Sequence, residues 1–135
     1  MIFLQVADTS GILKFQISPS GQARSHLESV RETHNSTQKL VASTTLDVLL
    51  ENHGEPDLVK LDVEGAELLC LQGAPQLLKQ VRPVFYIEVS EENSERVTEI
   101  FAQNNYEIFK LHLDKPPSPI SRAEMYTIAL PTGQC

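Results

Sequence analysis

The chain has 135 residues, of which 41% are hydrophobic and 21% are charged, and its formal net charge at pH 7 is −7. This length and composition fit one globular domain with a hydrophobic core. The negative charge argues against broad binding to nucleic-acid phosphates, which needs a basic face. No apolar run approaches the roughly 18 residues of a membrane-spanning helix.

The N-terminal residues predict a β-hairpin over residues 1–17. Two apolar runs, IFLQVA and ILKFQIS, flank residues 8–11, whose sequence DTSG is typical of a tight turn. The apolar start lacks a basic flank, so no secretory signal is expected, and the two cysteines form no disulfide framework. A reducing cytoplasm is therefore the default location. Residues 18–43 are polar and contain Pro, Gly and Ser, which predicts an irregular loop.

Residues 44–135 predict alternating helices and strands. Thr45 begins a helix that Gly54 ends, and the other predicted elements follow in order: strand 58–63, helix 65–71 with a second turn up to residue 82, strand 84–89, helix 90–103, strand 106–111, proline loop 114–119 and strand 125–130. This alternation predicts a single α/β domain with a mostly parallel sheet covered by helices. The last strand follows its predecessor without a helix, so we expect it to run antiparallel.

Carboxylates follow two of the predicted strands at their C-terminal ends. Asp62 and Glu64 end the first strand, and Glu88 ends the next. Ligands of such sheets bind outside these strand ends, which predicts a pocket there. A simpler explanation is that an acid before a helix meets free N–H groups. That explanation suits Glu64 or Glu67, and we expect Glu67 to cap the helix or lie on the surface; it suits Asp62 less well.

Lys60 alternates with Asp62 along the strand, so both side chains are expected on one face of the sheet. Lys60 could pair with an acid or contact a ligand, and the pattern does not separate the two. The four histidines lack metal-ligand spacing, so no metal site is predicted. No two of the six glycines form G-x-G, and no phosphate-cradling loop is present.

Residues 44–89, TTLDVLLENHGEPDLVKLDVEGAELLCLQGAPQLLKQVRPVFYIEV, closely resemble the FkbM-type methyltransferases. The specific part is K-x-D-V-E-G-A-E, residues 60–67; a Thr-Leu-Asp helix start, a Gly-Ala after the helix and a strand ending in Glu88 also fit. The D-x-x-G of residues 8–11 and the strand entry at Tyr106 extend the resemblance along nearly the whole chain. Asn105 departs from the pattern, because it stands where glycine is usual.

The resemblance implies a Rossmann-like class I fold and O-methyl transfer from S-adenosylmethionine. It assigns a catalytic role to Asp62, as the first choice of base, and to Glu64 as the second. It assigns cofactor contact to Asp62 and Asp8 and substrate contact to Glu88 and Lys60. The acceptor would be a hydroxyl group on a sugar, a lipid or a secondary metabolite.

The resemblance covers the second half of the family pattern, with the glycine-rich cofactor loop expected before Met1. In the family's strand order 3-2-1-4-5-7-6, strand 58–63 would then lack its neighbour, and such an apolar edge favours pairing with another chain. We therefore expect an oligomer or a partner chain. Two alternatives stay open: a non-catalytic remnant or interaction subunit that completes a partner, and a different α/β ligand-binding or metal-dependent transferase.

Overall fold

The computed structural model describes residues 4–17, 26–27 and 37–133. The strands are β1 (Leu4–Val6), β2 (Gly11–Ile17), β3 (His26–Leu27), β4 (Thr37–Thr44), β5 (Leu58–Leu61), β6 (Val84–Ile87), β7 (Tyr106–Lys110), β8 (Ser118–Pro119) and β9 (Thr127–Pro131). The helices are α1 (Leu46–His53), α2 (Glu67–Gln72) and α3 (Ser94–Gln103), with a π-helical segment at Leu77–Val81 and a 3-10 turn at Glu91–Asn93. The predicted α/β composition is confirmed.

The first sheet, with the order β1-β4-β2-β3, corrects two expectations about the N-terminal part. The hairpin is wrong, because β4 lies between β1 and β2 and pairs parallel to one and antiparallel to the other. The irregular loop over residues 18–43 is wrong for residues 37–43, which belong to β4. Most of the remaining loop lies outside the described residues. Strand β2 therefore uses its full length to pair with β4 instead of folding back onto β1.

The second sheet has the order β5-β6-β9-β7-β8, and only β5 and β6 are parallel neighbours. The expectation of a mostly parallel sheet is wrong for this reason. The predicted antiparallel last strand is confirmed, since β9 pairs antiparallel with both β6 and β7. It follows that β6 and β7 run in the same direction, as their helical connection requires, but β9 separates them.

An aromatic cluster joins the second sheet to α3. Phe85 on β6, Phe101 on α3 and Tyr106 at the start of β7 are buried, and their ring centroids are 5.5–5.7 Å apart at tilted or edge-on angles. Such pairs contribute about 0.5–1.5 kcal/mol each beyond the burial of apolar area. The cluster fixes α3 against the sheet and with it the loop that connects β6 to α3.

Helix α1 begins at a threonine cap, as predicted, because the Thr45 hydroxyl accepts the Val48 amide at 3.1 Å. Asp47, in the first turn of α1, also contacts a distant part of the chain. Its carboxylate accepts the backbone amides of Gln76 and Leu77 at 2.8 and 2.9 Å. This side chain therefore ties α1 to the start of the π-helical segment, which carries the chain from α2 towards β6.

Helix α2 packs against the end of β1 through small residues. Ala7 and Ala66 are buried together, and the Cys70 thiol donates to the Val6 carbonyl at 3.4 Å. At the end of the helix, a side chain on Gly73 would collide with the backbone of Ala7. These contacts bring the first sheet against α2 and so position the loop that precedes the helix.

In the described part of the chain, no helix combines the length and the apolarity needed to span a bilayer.

Candidate functional site

A cleft of about 250 Å³ opens between the C-terminal ends of β5 and β6. The residues that line it come from the two loops that follow these strands and from the loop before β9: Asp62, Glu64, Gly65, Glu67, Glu88, Val89, Ser90, Glu92 and Met125. Its volume is smaller than the roughly 300–1,000 Å³ of a complete small-molecule site. The cleft is therefore large enough for part of a substrate.

The first wall is the loop from β5 to α2. Asp62 leaves the strand and forms an ion pair with Lys60 at 3.4 Å; both side chains are about half exposed, so the pair contributes less than about 1 kcal/mol. Glu64 and Gly65 both have left-handed backbones, with φ of 46° and 100°. Such a φ is easy for glycine and unfavourable for glutamate. The two residues turn the chain sharply from the strand into the helix.

The second wall is the loop from β6 to α3. The Glu88 amide donates to the Leu61 carbonyl at 3.0 Å, which continues the parallel ladder one step beyond the strands and holds the two walls side by side. Val89 is buried, and Ser90 leads into the 3-10 turn that ends at Asn93. Glu88 is half-buried at the cleft.

The floor of the cleft contains the buried carboxylate of Glu67, which is 1% exposed. One oxygen accepts the Gly65 amide at 2.7 Å. The other accepts the Asn93 side-chain amide at 3.0 Å and the Ser90 hydroxyl at 3.3 Å. Glu67 therefore binds the turn before α2 and not a free amide of the helix, so both the expected capping role and the expected surface position are wrong.

Three of the residues singled out from the sequence come together at the cleft: Asp62, Glu64 and Glu88. Lys60 contacts Asp62 but does not line the cleft. Asp8 lies exposed in the turn after β1, near the C-terminal end of α2, and is outside the cleft lining.

Sequence reasoning missed several residues of the cleft: Glu67 as its floor, and Ser90, Glu92, Asn93 and Met125 at or beside its walls. Glu88 was found by the rule that ligands bind beyond the C-terminal ends of the strands. The same rule, extended to the loop after Glu88, could have found Ser90. Met125 comes from the loop before β9, and a rule about the C-terminal ends of strands does not predict residues in that loop.

The cleft lining is acidic, with five carboxylate side chains and no Lys, Arg or His. The negative charge also affects Cys70, one helical turn after Glu67. Burial, together with the nearby Glu67 carboxylate, raises the pKa of its thiol from 9.0 to about 12. Among the described residues, no three side chains of His, Cys, Asp or Glu converge as metal ligands do. The cleft is thus suited to groups that donate hydrogen bonds or carry positive charge.

Comparison with family models decides the family. The model of the methyltransferase FkbM domain matches residues 2–108, which include both walls and the floor of the cleft. The chain belongs to the FkbM methyltransferase family. No curated protein and no solved structure matched the chain. The matched part of this FkbM chain ends within β7, so β9 and the rim residue Met125 lie beyond it.

Proposed function

We propose that this chain carries the acceptor-binding half of an S-adenosylmethionine-dependent O-methyltransferase. The observation that supports it is a cleft edged by Asp62, Glu64 and Glu88 in a chain of the FkbM family. No G-x-G occurs in the 135 residues, and we propose that other polypeptide supplies the glycine-rich loop for the cofactor. That polypeptide is either more of the same chain or a partner.

The acidic lining fits one side of the cofactor. S-adenosylmethionine has a sulfonium, an ammonium group and two ribose hydroxyls, and carboxylates bind all of these as anions or as hydrogen-bond acceptors. When bound, the cofactor supplies an activated methyl group to an acceptor oxygen. We assign the contact from this chain to Asp62 at the end of β5. Asp8 is a weaker candidate, because it lies outside the cleft lining.

Asp62 is our candidate for the general base. A base must reach the hydroxyl proton of the acceptor, and Asp62 is half exposed at the cleft rim with its carboxylate oxygen near Lys60. The carboxylate, with Lys60 beside it, takes the proton as the acceptor oxygen becomes nucleophilic. Glu64 is the second candidate, and the half-buried Glu88 on the opposite wall accepts a second hydroxyl of the substrate.

The charge of the lining favours an uncharged acceptor. A phosphorylated or carboxylated acceptor would bring negative charge beside five carboxylates without a basic side chain in the lining. A neutral hydroxyl compound, such as a sugar, a lipid headgroup or a secondary metabolite, meets hydrogen-bond acceptors there instead.

The test is methyl transfer from labelled S-adenosylmethionine to a matched pair of acceptors, methyl glucoside and its 6-phosphate. The assay uses the chain alone and the chain together with whatever polypeptide is found to supply the cofactor loop, and mass spectrometry locates the methyl group. We expect transfer to oxygen, at least tenfold faster for the neutral sugar. Transfer to nitrogen or carbon, a preference for the phosphate, or no transfer to a panel of neutral hydroxyl compounds would contradict the proposal.

A second candidate function is that of an interaction subunit, and the edge of β5 supports it. Among the described strands, β5 pairs only with β6, so its other edge has no described neighbour. Beside it lies an apolar groove of about 360 Å³, with Leu46, Leu49 and Leu50 of α1 facing Leu58 and Val59. Leu58 is 60% exposed. An added strand would pair with this edge and cover the groove.

Analytical ultracentrifugation tests the second candidate. We expect concentration-dependent association that Leu58→Lys weakens, because a charge on an edge strand opposes pairing. Leu113→Lys is the control, since Leu113 is an equally apolar residue in a loop and is completely exposed. A monodisperse monomer at all concentrations, or equal effects of the two substitutions, would contradict an association through β5.

A further inference from the structure

We propose that Glu67 and Asn93 act together as positioning residues that hold the two walls of the cleft in register. This inference rests on the proposed function for its catalytic meaning, but its structural part stands on contacts alone. The two side chains, with their bonds to Gly65, are called the Glu67–Asn93 link below.

The link is a closed ring of three hydrogen bonds that crosses the cleft floor. The Gly65 amide donates to Glu67 at 2.7 Å, and the Asn93 side-chain amide donates to the other oxygen of Glu67 at 3.0 Å. The same Asn93 nitrogen donates to the Gly65 carbonyl at 2.9 Å. Both backbone polar groups of Gly65 are therefore bound, one by the first wall and one by the second.

The ring lies at the sharp turn that precedes α2. Gly65 follows Glu64, and both have left-handed backbones. A non-glycine residue persists in that conformation where its surroundings impose it. By binding both polar groups of Gly65, the link fixes the peptide units on either side of it. It thereby sets the direction in which Glu64 leaves the backbone beside Asp62.

The cost of the arrangement also argues for a specific role. Glu67 is 1% exposed, and a buried carboxylate loses hydration that an apolar residue of the same size would not need. A helix start can be capped by an exposed acid without that loss. What the buried carboxylate adds is a bond to each wall, from Gly65 on one side and from Ser90 and Asn93 on the other.

Two substitutions break the link in different ways. Asn93→Ala removes both bonds made by its amide nitrogen. Glu67→Gln keeps the volume and the acceptor for Gly65 but places a donor opposite Asn93, and it serves as the second variant if Asn93→Ala does not fold. Asn104→Ala is the matched control, since Asn104 caps the other end of α3 and its side chain bonds only within that helix.

Amide hydrogen exchange and chemical shifts, measured by NMR on the folded protein, test the link without any substrate. We expect exchange of the Gly65 amide to rise at least tenfold in Asn93→Ala, with shifts at residues 62–65, and neither change in Asn104→Ala. Unchanged exchange and shifts at Gly65 in both link variants would overturn the proposal, whatever the thermal stability of the variants.

Methyl transfer then separates this proposal from the proposed function. If the unsubstituted protein transfers methyl groups, we expect Asn93→Ala to lower kcat at least tenfold and to change KM less than threefold. An unchanged kcat in a folded variant would overturn the positioning role. If the unsubstituted protein transfers none, the proposed function fails, while the NMR result at Gly65 still supports or overturns the link.

Discussion

The carbonyl oxygen of Ala7 lies where a β-carbon on residue 73 would have to be, so Gly73 is what allows the end of β1 to pass against α2. We expect Gly73→Ala to lower the free energy of unfolding by about 1–3 kcal/mol, since the added carbon must displace backbone rather than a flexible side chain. Urea denaturation measures the change. Gln72→Ala is the control at an exposed neighbouring position, and equal stabilities of the two variants would contradict the steric explanation.

Asp47 is expected to stabilise the fold through the two amides that it accepts. Asp47→Ala leaves the amides of Gln76 and Leu77 without this partner, and bonds to a charged group are worth about 1.5–3 kcal/mol each. We expect a loss of about 2–4 kcal/mol, and Asp47→Asn should lose less because it keeps one acceptor. Glu51→Ala, on the exposed face of α1, is the control. A loss below 1 kcal/mol for Asp47→Ala would rule out this role.

Arg82 joins the connection before β6 to the ends of two other strands. Its guanidinium donates to the carbonyls of Asn104, Asn105 and Thr132 at 3.1, 3.0 and 2.8 Å and lies over the Tyr106 ring. We expect Arg82→Lys to lose about 2 kcal/mol, because one ammonium group cannot reproduce this planar set of donors. Arg82→Gly relieves the left-handed backbone (φ of 58°) and removes the donors. If Arg82→Gly were as stable as the wild type, the conformation of the backbone and not the guanidinium would determine the contribution of this position, which would contradict the prediction.

The buried thiol of Cys70 should make the protein less stable at alkaline pH. Below pH 9 it is protonated in both the folded and the unfolded state and adds no pH dependence. Between pH 9 and about 12 the unfolded thiol ionises while the folded one does not, because burial raises its pKa to about 12. The free energy of unfolding should therefore fall by up to about 1.4 kcal/mol per pH unit.

Urea titrations of the protein and of Cys70→Ala from pH 8 to pH 11 isolate this contribution. The slopes are compared rather than the absolute stabilities, because alanine also leaves a small cavity. The buried Tyr106 hydroxyl, whose pKa is also raised to about 12, contributes equally to both proteins. If the free energy of unfolding falls equally steeply with pH in both proteins, the thiol has no effect.

Asp62→Asn should abolish most methyl transfer if Asp62 is the base. General bases contribute about 10²–10⁴ in rate, so we expect kcat to fall by at least 100-fold in the smallest polypeptide that is active. The amide keeps the size of the side chain, and the fold should be unaffected because Asp62 is half exposed. Glu99→Gln, on the exposed face of α3, is the matched control. A normal kcat for Asp62→Asn would move the assignment to Glu64.

Local patterns predicted the elements from α1 onward well, because their apolar residues face one core. The turn before β7 was also predictable, because Asn105 stands where the family has glycine. Its φ is 58°, a region that asparagine enters more easily than most residues. Strand β4 was missed because its polar composition resembles a loop, and because its partners on β2 lie 20 to 32 residues away in the sequence. Pairing at such distance leaves no local signal.

The candidate site was predictable where one rule applied and not beyond it. The rule that ligands bind beyond the C-terminal ends of strands in an α/β fold predicted Asp62, Glu64 and Glu88. The burial of Glu67 was not predictable, because it depends on Ser90 and Asn93, which reach it from another loop. An isolated acid near a helix start looks the same in the sequence whether it is exposed or enclosed.

The place of β9 in the second sheet has a consequence for synthesis. A nascent chain that has emerged only as far as β7 already contains β6, β7 and α3, but not the strand that lies between β6 and β7. Both strands then present open hydrogen-bonding edges beside the aromatic cluster. Closure of this sheet has to wait for residues 127–131, so a stalled or shortened translation product exposes open strand edges that are prone to aggregation.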